Sequence, residues 1–348
     1  MESLYTWGVS MIQDIQTRYP DYDNFLETVS RIGDPAYAFS IIFPIISTIN
    51  TLLAADILMV SVIAEWSNTL LKWLFREDRP YWWVRESNSL RKGYPYLKQG
   101  PLTCETGPGS PSGHVMGCAA LLYVLITACI RHYSARCKRS GENSKFISTT
   151  FWSIYVTILM LVSLSRMYVA THFPHQCVLG AILGFLIGHY FGNAHAKPTA
   201  YWHSSTKLKL LAFVLGATVL SFTSYWIQKA FGIDPQWSVK MAFKWCEHVE
   251  NVHVNTTPLF SLVRDTGLGL GLVSVSPVIQ RATDKHNLMV SVACVLAYCT
   301  ALHLAQVSVP TSDAKIFYMC HALLYSTIPY VLIGILPRVA TVNKRKTN

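Results

Sequence analysis

Charged side chains are scarce in this chain of 348 residues: Asp, Glu, Lys and Arg together make up 14% of it, whereas soluble domains carry about 25%. Residues 1–35 also lack the short apolar core that a cleavable secretion signal requires. Because 51% of the residues are hydrophobic, the composition predicts a membrane protein, and we expect its first apolar span to direct insertion.

Patterns typical of metal or nucleic-acid binding are absent as well. The nine cysteines show no C-x-x-C or similar spacing, and no Lys/Arg-dense arm occurs before the last few residues. The formal net charge of +10 comes largely from basic residues in loops between apolar segments, so it does not favour nucleic acid as a partner. Cys104 and Cys246 fall in loops on one predicted side of the membrane, and a disulfide between them is a hypothesis.

Nine apolar segments have the roughly 17–25 residues that a membrane-spanning helix needs. The loops 132–145 and 194–207 and the tail 337–348 are basic, which predicts that they face the cytoplasm. The acidic segment 1–35 then lies on the opposite side. We therefore predict an all-α polytopic protein with a single membrane-embedded domain over residues 1–348. Its spans are expected at about 36–54, 56–75, 114–131, 146–165, 176–193, 208–228, 258–280, 288–308 and 316–336.

Ser110-Pro111-Ser112-Gly113-His114 follows a Gly-rich run and precedes one of the apolar segments. Ser110 is a good helix cap, and Pro111 suits the first helical position. The N–H groups of Ser112 and Gly113 would then be free at the positive end of a helix, which is an anion site, with His114 beside it. The alternative is an ordinary capped membrane helix whose histidine lies at the water interface.

Two further loops on the same predicted side carry basic groups and a second histidine. Lys72 and Arg79 lie seven residues apart, which places them on one face of a helix that reaches Arg79. Arg166 ends an apolar helix, where arginine is rare and costly, and His172 follows shortly after it. Together these groups predict a phosphoryl-transfer site in which positive charge holds the phosphate, one imidazole attacks phosphorus and the other protonates the leaving oxygen. No Asp/Glu cluster suited to Mg²⁺ occurs nearby, so we expect a reaction without metal or cofactor.

The order and spacing of these motifs resemble the three-part signature of the type 2 phosphatidic acid phosphatase (PAP2) superfamily. The three motifs are Lys72-x6-Arg79-Pro80, Pro111-Ser112-Gly113-His114 and Ser165-Arg166-x5-His172. Residues 79–84, 103–114, 172–176 and 244–247 are similar to the glucose-6-phosphatase catalytic subunits, and this resemblance extends over nearly the whole chain.

The resemblance implies a helical PAP2-type core that hydrolyses glucose 6-phosphate in the lumen of the endoplasmic reticulum through a phosphohistidine intermediate. His172 is then the nucleophile, and His114 is the acid that protonates the sugar oxygen. The residues implied to hold the phosphate are Lys72, Arg79, Ser112, Gly113 and Arg166.

One position departs from the wider superfamily. Gln176 stands where the superfamily has an Asp that orients the nucleophilic imidazole, and a Gln cannot stabilise an imidazolium by charge. Asp34 and Glu105 are candidates either for that role or for binding sugar hydroxyls, and His175 and Gln176 itself are further candidates. For Asp34 the alternative is an ordinary helix cap.

The sequence leaves several alternatives open. A lipid phosphate phosphatase of the same superfamily and a non-catalytic sugar-phosphate transporter or sensor are the competing functions. Residues 242–247 and the pair Arg264-Asp265 favour the broadly expressed isoform class, whereas the tail Lys344-Arg345-Lys346 favours the liver class and looks like a retrieval signal for the endoplasmic reticulum. The isoform class bears on whether other hexose or hexitol phosphates are substrates. It also bears on functional coupling to a separate glucose 6-phosphate transporter.

Overall fold

The computed structural model describes residues 2–87, 95–140, 144–192, 206–279 and 287–340, and in these ranges it is helical without a β-strand. The predicted all-α fold class is therefore confirmed. The α-helices are α1 Glu2–Arg18, α2 Asp23–Ile32, α3 Pro35–Tyr37, α4 Phe43–Ser47, α5 Thr51–Phe75, α6 Pro80–Glu86, α7 Gly113–Ser140, α8 Ser144–Tyr168, α9 Pro174–Phe191, α10 Lys207–Ala230, α11 Trp237–Trp245, α12 Pro258–Ile279, α13 Leu288–Val307, α14 Ala314–Pro329 and α15 Leu336–Ala340.

Seven helical segments of the described chain are long and apolar enough to cross a membrane, and they match seven of the nine predicted spans. The predicted span 36–54 is instead a shorter apolar stretch, Pro35–Ser47. The predicted span 176–193 corresponds to α9, whose 18 residues begin with a polar turn and so leave a short apolar run. The count of nine spans is not confirmed.

The chain divides into two compact units. Residues 1–35, 64–189 and 220–261 form the first unit, and residues 36–63, 190–219 and 262–348 form the second. Every candidate site residue of the sequence analysis belongs to the first unit. The single domain over residues 1–348 stays a prediction.

Three glycines on α9, spaced four residues apart, let this helix pack closely against α7. A Cβ on Gly180 would lie 2.7 Å from the carbonyl oxygen of Ser112, and one on Gly184 would lie 2.2 Å from that of Met116. Gly188 continues the row. Small residues at this spacing allow membrane helices to approach at backbone distance, so the N-terminal ends of α7 and α9 are held together.

The N-terminal helices α1 and α2 pack against α8 within the first unit. The ring of Tyr5 on α1 stacks on Phe173 with 4.5 Å between ring centroids, and Ser30 on α2 accepts a hydrogen bond from Arg166. The acidic segment 1–35 therefore contributes to the first unit as two packed helices.

In the second unit, Arg264 and Asp265 of α12 form a buried ion pair, with 2.9 Å between Nε and Oδ1. The guanidinium also lies 5.1 Å from the ring centroid of Phe39. A charge at membrane depth needs such neighbours because hydrocarbon does not solvate it. These contacts give the pair a structural role in its own unit.

The structure joins Cys104 and Cys246 by a disulfide, as the sequence analysis hypothesised, with 5.6 Å between their Cα atoms and a sequence separation of 142. Because the bond closes a long loop, we expect Cys246→Ser to destabilise the protein by about 2–4 kcal/mol. The measurement is the apparent unfolding temperature in detergent. Cys129→Ser, which removes a free cysteine, is the control and should leave that temperature unchanged. Unchanged masses of the two cysteine peptides with and without reductant would contradict the bond.

Candidate active site

His172 lies in the loop between α8 and α9 and has no solvent-exposed surface. Its Nδ1 is 2.8 Å from the carbonyl oxygen of Gly109. Because a carbonyl oxygen only accepts hydrogen bonds, Nδ1 carries the proton and donates it. Nε2 then carries no proton, and its lone pair accepts a hydrogen bond from Nη1 of Arg79 at 3.3 Å. A neutral imidazole with an unprotonated Nε2 is the form that attacks phosphorus.

The surroundings of His172 and Glu105 favour the neutral form of the imidazole and the charged form of the carboxyl group. Burial and the neighbouring charge of Arg79 hold the pKa of His172 well below its ordinary value. Burial by itself raises the pKa of Glu105, but the charges of Arg166 and Arg79 outweigh it and hold that pKa well below its ordinary value. At neutral pH the imidazole is therefore uncharged and the carboxylate is charged.

Arg79 is fully buried and connects the two loops that carry the site. Its Nε donates to the carbonyl oxygen of Gly107 at 2.6 Å, and its Nη2 donates to that of Pro108 at 3.3 Å. Its Nη1 donates to the carbonyl oxygen of Thr171 at 3.3 Å and to Oε2 of Glu105 at 2.8 Å. The guanidinium thus fixes the Gly-rich loop, residues 107–109, against the loop that carries His172. It also forms an ion pair with the Glu105 carboxylate.

Arg79 does not share a helix with Lys72, so the condition for a common helix face, a helix that reaches Arg79, is not met. Helix α5 ends at Phe75, because Arg76 has a φ of 51°, the left-handed conformation that terminates helices. Arg79 itself is extended, as expected for a residue before proline. Arg79 therefore reaches the site from a loop rather than from the face of α5.

Lys72 nevertheless points to the same place from the last turn of α5. Its Nζ lies 3.5 Å from the position that a Cβ would take on Gly107 and 3.7 Å from the corresponding position on Gly113. Both distances are ordinary van der Waals separations, so the ammonium group lies directly beside the two glycines. Lys72 therefore reaches the first turn of α7.

Glu105 bridges the two arginines. Nη2 of Arg166, from the last turn of α8, donates to Oε1 of Glu105, while Arg79 holds Oε2. Oε1 is also 3.6 Å from Nδ1 of His114, and Oε2 is 3.9 Å from Nε2 of His172. In the described part of the site, Nε of Arg166 is buried without a hydrogen-bond partner. One carboxylate thus occupies the point where two guanidinium groups and two imidazoles converge.

Helix α7 begins later than the sequence predicts. The N–H of Met116 donates to the carbonyl oxygen of Ser112, so Ser112 is the cap residue and Gly113 the first helical residue. The N–H of Ser112 donates to the carbonyl oxygen of Gln176 at 3.0 Å, so the prediction of a free Ser112 amide is wrong. Packing of α7 against α9 takes up that donor, which leaves the N–H groups of Gly113 and His114 at the helix start.

Gln176 and His175 lie behind the Gly-rich loop and do not contact the His172 imidazole. The amide of Gln176 donates to Oε2 of Glu77 at 3.0 Å and to the carbonyl oxygen of Asp78 at 2.9 Å. Nε2 of His175 is 2.9 Å from the same Glu77 carboxylate oxygen. The carbonyl of Gly109, rather than the side chain of Gln176, therefore contacts Nδ1 of His172.

Asp34 is half-buried between α2 and α3, directly before Pro35. It lies close enough to His114 and Arg166 to interact with both electrostatically. Its position fits the helix-cap alternative and also a place at the rim of the site. Among the described residues, no group of three or more His, Cys, Asp or Glu side chains is arranged to hold a metal ion.

Two contributors to the site were not found from the sequence. The sequence analysis assigns no role to Glu77, and Gly109 enters it only as part of a Gly-rich run. The acidic pair Glu77-Asp78 directly before Arg79 was a signal, because a carboxylate beside a phosphate site needs a structural reason. The carbonyl of Gly109 had no signal, because every residue has a carbonyl.

Comparison with known proteins gives two kinds of match. The model of the PAP2 superfamily matches residues 52–200. Glucose-6-phosphatase 2 of Mus musculus is 34% identical over 347 residues, which covers 97% of this chain and 96% of that protein. Glucose-6-phosphatase catalytic subunit 1 of Rattus norvegicus is 34% identical over 97% of this chain and 95% of its own length. Glucose-6-phosphatase 3 of Mus musculus is also 34% identical, over 97% and 96%, so these identities do not favour one isoform class. No solved structure gives a significant match.

Proposed function

The chain belongs to the glucose-6-phosphatase family, and from this premise we propose that it hydrolyses glucose 6-phosphate to glucose and phosphate through a phosphohistidine on His172. The observation that carries the proposal is the unprotonated Nε2 of a neutral His172, which faces a carboxylate held by two buried arginines. A site that holds one anion beside a nucleophile is suited to bind and transfer another.

The phosphoryl group takes the place of the Glu105 carboxylate. Arg79 and Arg166 then donate to phosphoryl oxygens, and the unpartnered Nε of Arg166 supplies one further donor. Lys72 and the N–H of Gly113 approach from α5 and from the start of α7. Fixed positive charge of this kind stabilises the charge that develops on the equatorial oxygens during transfer.

The two histidines divide the proton chemistry. The Nε2 lone pair of His172 attacks phosphorus while the bond from phosphorus to the sugar oxygen breaks, and His114 gives that oxygen its proton. A water molecule then attacks the phosphohistidine, the P–N bond breaks, and His114 takes the proton of the water. Oε1 of Glu105 lies 3.6 Å from Nδ1 of His114, and this carboxylate stabilises the positive charge that the ring carries before the first step and again after the second.

The sugar approaches from the side of His114. Asp34 and the displaced carboxylate of Glu105 are the acceptors available there for sugar hydroxyls. His175 and Gln176 lie on the far side of the Gly109 loop, so a part in sugar binding is not supported for them. A substrate panel of hexose and hexitol phosphates on the purified protein would test this arrangement and the isoform class together.

We place the site on the lumenal side of the endoplasmic reticulum membrane, with the C-terminus in the cytoplasm. The basic loops and tail support this orientation. The tail signal Lys344-Arg345-Lys346 lies outside the described residues. A lumenal site would need a glucose 6-phosphate transporter to supply its substrate. In sealed microsomes, hydrolysis should be low until detergent opens the vesicles, and a C-terminal tag should be cleaved by added protease without detergent.

A direct comparison of substrates separates this proposal from a lipid phosphate phosphatase. The purified protein is assayed on glucose 6-phosphate and on phosphatidic acid in the same detergent. The glucose 6-phosphate proposal expects a higher kcat/KM for the sugar phosphate. A higher kcat/KM for the lipid would contradict it.

Vanadate should inhibit the enzyme strongly. Its five-coordinate form mimics the transition state of transfer to an imidazole, and such mimics bind at least about 100-fold more tightly than substrates. We expect inhibition by vanadate at concentrations at least about 100-fold below the inhibition constant of phosphate. A chelator such as EDTA should leave the rate unchanged. Resistance to millimolar vanadate would count against a phosphohistidine.

A further inference from the structure

The hydrogen bond that orients the nucleophile ends on a peptide carbonyl, so its direction depends on whatever fixes that peptide. Nδ1 of His172 donates to the carbonyl oxygen of Gly109. The N–H of Gly109 donates in turn to the carbonyl oxygen of Glu77 at 2.8 Å. The backbone of Gly109 is therefore attached through its carbonyl to the nucleophile and through its N–H to the segment that precedes Arg79.

The side chain of Gln176 lies against this peptide. A Cβ on Gly109 would lie 2.6 Å from Nε2 of Gln176, 2.8 Å from its Oε1 and 2.4 Å from the carbonyl oxygen of Asp78. These distances are too short for any side chain, so the residue has to be glycine. Gln176 is itself fully buried, and packing of this kind leaves the peptide little freedom to turn.

All the hydrogen-bonding groups of the Gln176 amide are engaged in holding this arrangement. Its nitrogen donates to Oε2 of Glu77 and to the carbonyl oxygen of Asp78, and its oxygen accepts from the N–H of Phe173 at 3.1 Å. The amide thus connects the Glu77-Asp78 segment to the residue after His172. Nε2 of His175 lies 2.9 Å from the same carboxylate oxygen of Glu77.

We propose that Gln176 is a positioning residue for the nucleophile, and that with Glu77 it forms a clamp that aims the Gly109 carbonyl at Nδ1 of His172. The clamp would replace the superfamily acid in orienting the imidazole. The imidazole donates to the neutral carbonyl of Gly109, and the side chain of Gln176 holds that carbonyl in place. This inference rests on the proposed function, because it assigns a part in the same reaction.

The clamp explains why an acid would fail at position 176. A carboxylate in place of the amide would lie 3.0 Å from the Glu77 carboxylate and 2.9 Å from the carbonyl oxygen of Asp78. Neither group can donate a hydrogen bond to it, so both contacts become repulsive. Gln176→Glu, which restores an acid at this position, should therefore misplace the nucleophile instead of improving it.

The test is a charge-exchange series on the purified full-length protein. We expect Gln176→Glu to lower kcat by about 100-fold, the loss that a displacement of about 1 Å can cause. The inhibition constant of inorganic phosphate should change less than about 3-fold, because Arg79, Arg166 and Lys72 are untouched. A merely structural defect would weaken phosphate binding as much as it lowers kcat. The double variant Glu77→Gln/Gln176→Glu should recover at least about 5-fold of the lost kcat, since it restores a donor opposite the new carboxylate.

Gln99→Glu is the matched control. It makes the same chemical change in the same unit, where the Gln99 amide contacts the backbone of Trp245 and Glu247, and it should leave kcat within about 2-fold. Wild-type kcat in Gln176→Glu would overturn the clamp, as would equal losses in kcat and in phosphate binding. If Gln176→Glu does not fold, Glu77→Gln decides: the clamp expects a loss in kcat at constant phosphate inhibition, and wild-type kcat would overturn it.

A second substrate keeps the clamp separate from the choice of sugar. All variants are also assayed on p-nitrophenyl phosphate, an activated phosphomonoester. Turnover of this compound without turnover of glucose 6-phosphate would contradict the proposed substrate while still measuring the clamp through kcat. If the wild-type protein hydrolyses neither p-nitrophenyl phosphate nor glucose 6-phosphate, both the clamp and the proposed function are overturned.

Discussion

His172→Ala is expected to lower hydrolysis of glucose 6-phosphate by at least about 10⁴-fold, which corresponds to about 5.4 kcal/mol of lost transition-state stabilisation. The imidazole forms the covalent intermediate, and alanine offers no nucleophile in its place. No water can take over this role easily, because the side chain is fully buried between Arg79 and Gly109. Binding of phosphate should persist, since the positive side chains remain.

Two measurements check this prediction. Rates are compared at saturating substrate, and protein-bound ³²P is counted after acid-free denaturation of the enzyme with labelled glucose 6-phosphate. The wild-type protein should carry label and the variant none. His253→Ala, which removes an exposed histidine of the same unit, should behave as wild type. Label on His172→Ala, or a rate above about 1% of wild type, would contradict a nucleophilic His172, and full substrate handling without hydrolysis in the wild-type protein would favour a transporter or sensor.

Arg79→Lys is expected to lower kcat/KM by about 10³-fold or more although it keeps the charge. A lysine donates hydrogen bonds from a single nitrogen atom. The planar Arg79 guanidinium instead donates to three backbone carbonyls and to Glu105 at fixed angles. Loss of a single oriented donor already costs about 10²–10³ in rate. Because the same side chain also fixes the loop of His172, the phosphate donor and the position of the nucleophile are lost together.

Arg79→Met separates stability from catalysis. It leaves the Glu105 carboxylate with one guanidinium instead of two, and removal of one partner from a buried ion pair costs roughly 3 kcal/mol or more. The apparent unfolding temperature should therefore fall, and Arg79→Met/Glu105→Gln should recover it without recovering activity. Arg85→Lys, on a half-exposed arginine that pairs with Glu247, is the control. Recovery of activity in the double variant would contradict a direct role of Arg79 in phosphate binding.

The membrane character, the helical fold and the set of site residues could be predicted from the sequence because each depends on side-chain identity. The length of the apolar runs indicates helices that span a membrane. The uneven distribution of basic residues between the runs predicts which loops face the cytoplasm. Lys72, Arg79, His114, Arg166 and His172 carry charge or titratable groups that membrane proteins rarely keep without a function. The structure places all five in one unit, and their catalytic roles remain predictions.

The boundaries of the helices were predicted less well: one error has a local cause, and the other has a cause far away in sequence. Arg76 adopts a left-handed conformation that ends α5 four residues earlier than Pro80 suggests. The start of α7 moves to Gly113 because the N–H of Ser112 bonds to Gln176, a residue far away in sequence. Helix-cap rules consider only residues that are neighbours in sequence. Here the N–H of Ser112 donates to the carbonyl oxygen of Gln176, which no local rule includes.

Side-chain identities alone therefore predict an all-α membrane protein, in which two histidines and three basic residues follow the order of the three PAP2 motifs. The folded structure alone shows that Glu105 bridges both arginines, that the carbonyl oxygen of Gly109 accepts a hydrogen bond from Nδ1 of His172, and that the Gln176 side chain packs against Gly109. The physical reason is that these decisions involve backbone carbonyls and packing distances. Every residue has the same backbone groups, so their positions become visible only when the chain has folded around them.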